Sequence, residues 1–204
     1  MTSLANRRSA ILLFSLPDCL HSHRTRLVIK EKEISAELHE IDIANISEEI
    51  KSISPYDEFP TLVDRELVLQ NSRVIIEYLD ERFPHPPLLP VDPVARAKFR
   101  LALDRIEHQW YPEFDKAYIN GVLDESFKEK IKSYFLEIVP LISDSFFMSE
   151  DFGLVDCSLA PLLWRTRCLG LELTENKKII EDYSDRIFDK DSFQASLTET
   201  EKDM

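Results

Sequence analysis

The chain has 204 residues, enough to bury a full core in one or two domains, and its 38 acidic against 25 basic side chains leave a net charge of −13. Such a chain repels phosphate backbones overall, so no direct nucleic-acid binding is expected and any route to nucleic acid runs through a protein partner. Cys19, Cys157 and Cys168 form no CxxC pair, no apolar run approaches the ~20 residues of a membrane span, and the N-terminus lacks the long apolar core of a signal peptide; a soluble, cytoplasmic protein with reduced thiols is expected.

Arg7, Arg8, Arg24 and Arg26 lie near the N-terminus and leave a local basic patch open. Residues 9–14 read as a short apolar strand, and 15–21 as a loop containing Pro17. Ser22 can cap a helix running to about Lys32. Residues 36–43 alternate enough for a second strand, and 47–53 suggest a short helix. Pro60 has no N–H and a fixed φ, so it can open a strand but not sit inside a central ladder. Thr61-Leu62-Val63 and Leu67-Val68-Leu69 then pair about a polar Asp64-Arg65-Glu66 turn. Ser72 can cap a helix with Ile75, Leu79 and Phe83 on its buried side. The first half therefore orders β-α-β-α-β-β-α, which implies a mixed four-stranded sheet with parallel pairing across a crossover helix and an antiparallel hairpin at one edge.

Five of the eleven prolines, Pro84, Pro86, Pro87, Pro90 and Pro93, fall within ten residues. That density excludes helix and favours a stiff, extended connector, so a domain boundary belongs here. Pro93 suits a first helical residue. Phe99, Leu103, Ile106 and Trp110 mark one helix face, which Pro112 should bend or end. Residues 127–147 form a helical stretch interrupted at Pro140. Residues 154–169 make the most apolar helix, the core of this half, and 178–188 another before a short tail. The division is 1–84 for the α/β domain, 85–93 for the linker and 94–204 for an all-helical domain.

This order, with a proline opening the third strand, resembles the glutathione S-transferase fold, a thioredoxin-like domain followed by an all-α domain. Closer resemblance lies in Pro60-Thr61-Leu62-Val63-Asp64-Arg65-Glu66-Leu67, in Ile76-Glu77-Tyr78-Leu79-Asp80-Glu81-Arg82-Phe83-Pro84-His85-Pro86-Pro87-Leu88, in Leu154-Val155-Asp156-Cys157, in Leu159-Ala160-Pro161-Leu162-Leu163-Trp164-Arg165 and in Asp191-Ser192-Phe193. These blocks resemble the bacterial stringent starvation protein A family of RNA polymerase-associated transcription regulators, and the run from Arg82 to Leu88 is specific to it. The resemblance implies a homodimer that binds polymerase holoenzyme, including the housekeeping sigma factor. It also places an exposed, functional pocket at Pro84-His85-Pro86, with Phe83 and Pro87 as neighbours. The bare residues allow a stiff linker there as well.

Transferases of the superfamily hold glutathione through the backbone before a cis-proline, an acid-serine pair, and a Ser, Tyr or Cys after the first strand. Here Phe59 precedes Pro60, the pair is Asn71-Ser72, and Cys19 precedes the first helix. Asn71 brings no charge, forfeiting a charge-assisted bond of ~1.5–3 kcal/mol. Cys19 is followed by Leu20, whereas redox members carry Cys-Pro. Neither a catalytic residue nor a cofactor is assigned, and glutathione is disfavoured; a glutathione-dependent transferase or thiol reductase using Cys19 is the alternative. The Cys19, His21, His23 spacing lacks the carboxylate or second cysteine of a recognised metal set, so no metal site is assigned. Gly153 stands where the superfamily usually caps a helix with Ser or Thr, while Asp156 keeps the other half of that capping box.

Overall fold

The computed structural model describes residues 10–56, 58–120, 124–142, 145–171 and 176–204. They divide into two compact units, the chain up to Pro86 together with Ala195–Met204, and Pro87–Gln194.

In the first unit, β1 (Ile11–Ser15), α1 (Leu20–Glu31), β2 (Ala36–Glu40), α2 (Glu48–Ile53), β3 (Thr61–Asp64), β4 (Leu67–Leu69) and α3 (Ser72–Arg82) follow the expected order. The sheet runs β2-β1-β3-β4, with β1 parallel to β2 and antiparallel to β3, and β3 antiparallel to β4. β1 is central and buried along its whole length, which is why it reads as an apolar run without alternation. Leu12 and Phe14 face a cluster completed by Ile41, Ile46, Ile50, Ile53 and Phe59. Leu13 points the other way, and α1 and α3 pack together through the buried Leu27, Val28, Ile75, Ile76 and Leu79.

Element ends differ from the sequence reading for local reasons. Ser9 lies outside the described residues, and β1 extends to Ser15. α1 begins at Leu20 with Cys19 at its N-cap, because the Ser22 hydroxyl accepts from the Leu16 N–H at 3.0 Å and so holds the preceding loop. β2 stops at Glu40. The Asp42 carboxylate accepts from the Ala44 N–H at 2.9 Å and the Asn45 amide at 2.6 Å, turning the chain into a 3-10 segment, Ile43–Asn45. Asn71, not Ser72, caps α3, accepting from the Arg73 and Val74 N–H groups at 2.9 and 3.2 Å.

In the second unit, α4 (Pro93–Arg105) opens with Pro93 and the Asp92 carboxylate accepting from the Ala95 N–H at 2.8 Å. Pro112 does not end the helix. Residues Ile106–Trp110 widen into a π-helical turn and α5 (Tyr111–Asn120) continues, the change of register supplying a place where a residue without an N–H is tolerated. α6 (Glu125–Ile138) closes in a 3-10 turn at Pro140 and does not resume towards Phe147; Phe146 and Ser149 form an isolated bridge instead. α7 (Leu154–Cys168) is the core helix, with Leu154, Leu159 and Leu162 fully buried, and α8 (Lys177–Phe188) packs on it. Leu88 accepts from the Leu154 N–H at 2.9 Å, and a Cβ on Gly153 would lie 2.9 Å from that carbonyl oxygen. Glycine replaces the usual Ser or Thr cap because the linker backbone occupies the space. Asp156 completes the cap, accepting from the Gly153 N–H at 2.8 Å, the Phe147 N–H at 2.9 Å and the Tyr183 hydroxyl at 2.6 Å.

The tail holds two further short helices, α9 (Asp191–Ser196) and α10 (Glu199–Lys202). Reading 94–204 as one helical domain misses that the last ten residues belong to the first unit. A buried charge takes them there, as described below.

Candidate functional site

Cys19 follows a turn at Pro17-Asp18 and stands with extended backbone at the N-cap of α1; its carbonyl accepts the His23 N–H at 2.8 Å while its sulfur caps nothing. The thiol is partly exposed beside a cavity of about 480 Å³ formed by Leu16, Pro17, Ile41 and Ile43 with the acidic Asp18, Glu40 and Asp42. Hydrogen bonds from Asn45 and then the Ala44 backbone hold the Asp42 carboxyl below its ordinary value. Neither nearby imidazole is turned to the sulfur as a base: His21 Nδ1 lies 2.9 Å from the Ser72 hydroxyl, and the fully buried His23 faces Glu201 at 3.4 Å. Among the described residues, no three His, Cys, Asp or Glu side chains converge as a metal set.

The remaining groove residues are engaged within the protein. Phe59 joins Pro60 through a cis peptide, as the resemblance implies, and packs its ring on the sheet. Asn71 Oδ1 is taken up by the α3 cap. Ser72 is buried, and its hydroxyl accepts from the fully buried Arg24 guanidinium at 2.5 Å. The two side chains at the acid-serine positions therefore already have protein partners. Arg24 and Arg26 are buried, so neither contributes to a surface basic patch; Arg7 and Arg8 lie outside the described residues.

Arg26 ties the tail to the Cys19 loop. It donates to the Ser15 hydroxyl at 2.6 Å, the Leu16 carbonyl at 3.0 Å, the Ser196 carbonyl at 2.8 Å and the fully buried Glu201 carboxylate at 2.6 Å. Thr198 caps α10 and donates to the Pro17 carbonyl at 2.8 Å. A buried guanidinium on α1 thus selects the carboxylate 175 residues later as its partner.

At the other end of the first unit, Pro84, His85 and Pro86 are exposed and Phe83 is half-buried; Pro87, the first residue of the second unit, is exposed too. The His85–Pro86 peptide is cis. The run is fixed from behind: the buried Lys32 ammonium donates to the Pro86 carbonyl at 2.6 Å and to Asp80 at 2.8 Å. Arg82 lies over the Phe83 ring, 5.2 Å from its centroid, and 3.6 Å from Asp64, which also accepts from the Tyr78 hydroxyl at 2.7 Å. Burial, then Asp64, raises the Tyr78 phenol and keeps it a donor. The site is a rigid, outward-facing apolar edge carrying one imidazole.

Sequence reasoning names the exposed residues here but not Lys32, Asp80 or Glu201, which hold the two ends. One signal was present: α1 has no apolar residue from Ser22 to Arg26, so a helix next to the central strand had to bury polar groups.

The family model of the glutathione S-transferase N-terminal domain matches residues 13–87. A stringent starvation protein A homolog of Histophilus somni is 48% identical over 98% of this chain and 95% of its own length. The homolog of Haemophilus influenzae is 47% identical over 98% and 95%. The chain belongs to the stringent starvation protein A family. A further member, from Coxiella burnetii, is 44% identical over 97% of this chain and 96% of its own. Among solved structures, a delta-class glutathione transferase of Nilaparvata lugens superposes with TM-score 0.84 at 24% identity, covering 95% of each chain. Glutathione transferase Omega 3C of Trametes versicolor gives 0.83 at 20%, covering 96% of this chain and 88% of its own. At that identity the likeness establishes the fold, which is the one the sequence implied.

Proposed function

We propose that this family member regulates transcription by binding RNA polymerase holoenzyme, touching the housekeeping sigma factor, and performs no glutathione chemistry. The observation that carries the reading is the exposed Pro84-His85-Pro86-Pro87 edge fixed from behind by Lys32. Such an edge loses little conformational entropy when a partner covers it, and His85 adds a polar handle. Phe83 is its half-buried neighbour. The engagement of Asn71 and Ser72 by the protein's own groups supports a role without glutathione, and the reading requires neither cofactor nor metal. The net charge of −13 favours protein contacts over direct contact with nucleic acid. Exposed Leu67, Val68 and Val74 on the first unit offer apolar surface for a symmetric homodimer. Among the described residues, no helix is long and apolar enough to cross a membrane, and work on polymerase places the protein in the cytoplasm.

The test is co-migration with purified polymerase holoenzyme on size exclusion. Wild type is expected to co-elute, and a variant with Pro84, His85 and Pro86 all changed to alanine to fold normally but elute alone. Clean separation of wild type from polymerase overturns the reading. So does turnover of glutathione with 1-chloro-2,4-dinitrobenzene by wild type that is lost in Cys19→Ser.

A further inference from the structure

One turn of α1 buries an imidazole and two guanidiniums, those of His23, Arg24 and Arg26, and the tail sets the fully buried Glu201 carboxylate against the first and last of them. Glu201 Oε2 accepts from Arg26 at 2.6 Å and from the Thr198 N–H at 3.1 Å. Its Oε1 lies 3.4 Å from His23 Nδ1, beyond the roughly 2.7–3.2 Å of a well-made N–H···O bond. Arg26 thus meets the one negative charge, and an imidazolium at His23 would be a further positive charge in a turn that already buries two. Arg24 donates to the Ser72 hydroxyl and lies 3.5 Å from His21 Nδ1. Of the segments around this turn, β1 brings no ionisable side chain, and the preceding loop brings Asp18, exposed, and Cys19, partly exposed. Towards α3, Lys32 pairs with Asp80 about 13 Å further along the helix, and Arg73 pairs with Glu77.

Arg26 holds the tail and the Cys19 loop at once, since it also donates to the Ser196 carbonyl, the Ser15 hydroxyl and the Leu16 carbonyl, while Thr198 donates to the Pro17 carbonyl. We propose that residues 195–204 are an acid-released strap: a proton on His23 drives Glu201 out of the buried turn and unpins the loop that carries Cys19. Burial disfavours the charged imidazole while the strap is closed. Once Glu201 leaves, water reaches His23 and the ring takes a proton with the ordinary value of about 6.5. Below that pH the open form binds one more proton than the closed form, so closure is fully favoured above it and is lost as the pH falls. Near neutrality the strap is shut, and mild acid opens it. The device lies within the first unit and does not involve the Pro84-His85-Pro86 edge.

Native-state amide exchange of the full-length chain tests this, read by NMR as protection factors so that the intrinsic pH dependence of exchange divides out. The probes are the Glu201 and Lys202 amides, which donate to Thr198 Oγ1 and to the Thr198 carbonyl, each at 3.1 Å. The Leu13 amide of the central strand reports global unfolding. Between pH 7 and pH 5 the tail protection factors are expected to fall about twentyfold, the effect of one proton on an imidazole of ordinary value, while Leu13 stays more protected than the tail throughout. His23→Gln cannot take the proton and should keep tail protection within about twofold over the same range. The wild-type His23 Cε1–H resonance needs no variant: in the closed protein it should hold its neutral position down to about pH 5.5. Tail protection that is flat or rises in acid, a fall that His23→Gln shares, or exchange of tail and Leu13 at one common rate overturns the proposal. So does a His23 ring that titrates without loss of tail protection, which would make the imidazolium a second clamp on Glu201.

Discussion

Two single residues control more than their positions suggest, and both are buried charges. Burial raises the Asp156 carboxyl from 3.8 to about 6, against hydrogen bonds from Tyr183, Phe147 and Gly153 that lower it. Burial and the neighbouring Asp156 in turn raise the Tyr183 phenol, which stays a donor. A carboxyl whose folded value is raised binds its proton more tightly folded than unfolded. Its proton-linked stabilisation is therefore full below about pH 4 and lost as pH climbs through 6. Between pH 4.5 and 7 the unfolding free energy of wild type relative to Asp156→Asn should fall by about 2 kcal/mol, measured by urea denaturation. A difference that stays flat across that range would mean Asp156 titrates normally. Lys32 is the second case. Lys32→Ala strips the ammonium from a buried Asp80 carboxylate and should cost about 3–5 kcal/mol. The double change Lys32→Met with Asp80→Leu removes both charges and should recover most of that loss. It should still free the Pro86 carbonyl, so the Pro86 carbonyl ¹³C resonance moves in the double variant although the fold survives. An unmoved resonance would show that Lys32 does not hold the linker.

At the scale of elements, order was legible and ends were not. The β-α-β-α-β-β-α sequence followed from apolar runs, alternation and Pro60, because those signals come from burial against a sheet and survive in one dimension. Caps failed where a hydroxyl had a longer-range partner. Ser22 looks like a cap but holds Leu16, and Ser72 looks like a cap but receives Arg24. Pro112 looks like a stop because the π-helical turn that accommodates it leaves no mark in composition. The exposed half of the candidate site was readable as a proline cluster; its support was not, because Lys32 and Asp80 are 48 residues apart and look like ordinary surface charges. The tail was hidden for the same reason. Deleting residues 195–204 removes Glu201 from Arg26 and Thr198 from Pro17. The first unit should lose about 3–5 kcal/mol, and Cys19, at the end of the loop those contacts hold, should react with iodoacetamide roughly tenfold faster. Equal labelling of full-length and shortened chains would show that the loop stands without the tail.

For the whole molecule, the distribution of charge and the apolar edge should act on different stages of one association. On the proposed polymerase reading, a net charge of −13 extends beyond any single contact and would bias encounter with a basic partner surface, whereas Pro84, His85 and Pro86 would act only once the surfaces meet. Long-range attraction is screened over about 10 Å at 0.1 M salt, so the association rate should fall steeply between 50 and 500 mM salt while dissociation changes little. The triple-alanine change removes contacts but no carboxylates. It should leave the association rate and its salt slope within about twofold of wild type and raise dissociation by at least about tenfold. Surface-coupled binding to immobilised holoenzyme resolves the two rates. A variant that slows association and leaves dissociation unchanged would place the proline edge in steering or folding rather than contact, and a salt-independent association rate would remove the acidic surface from recognition altogether.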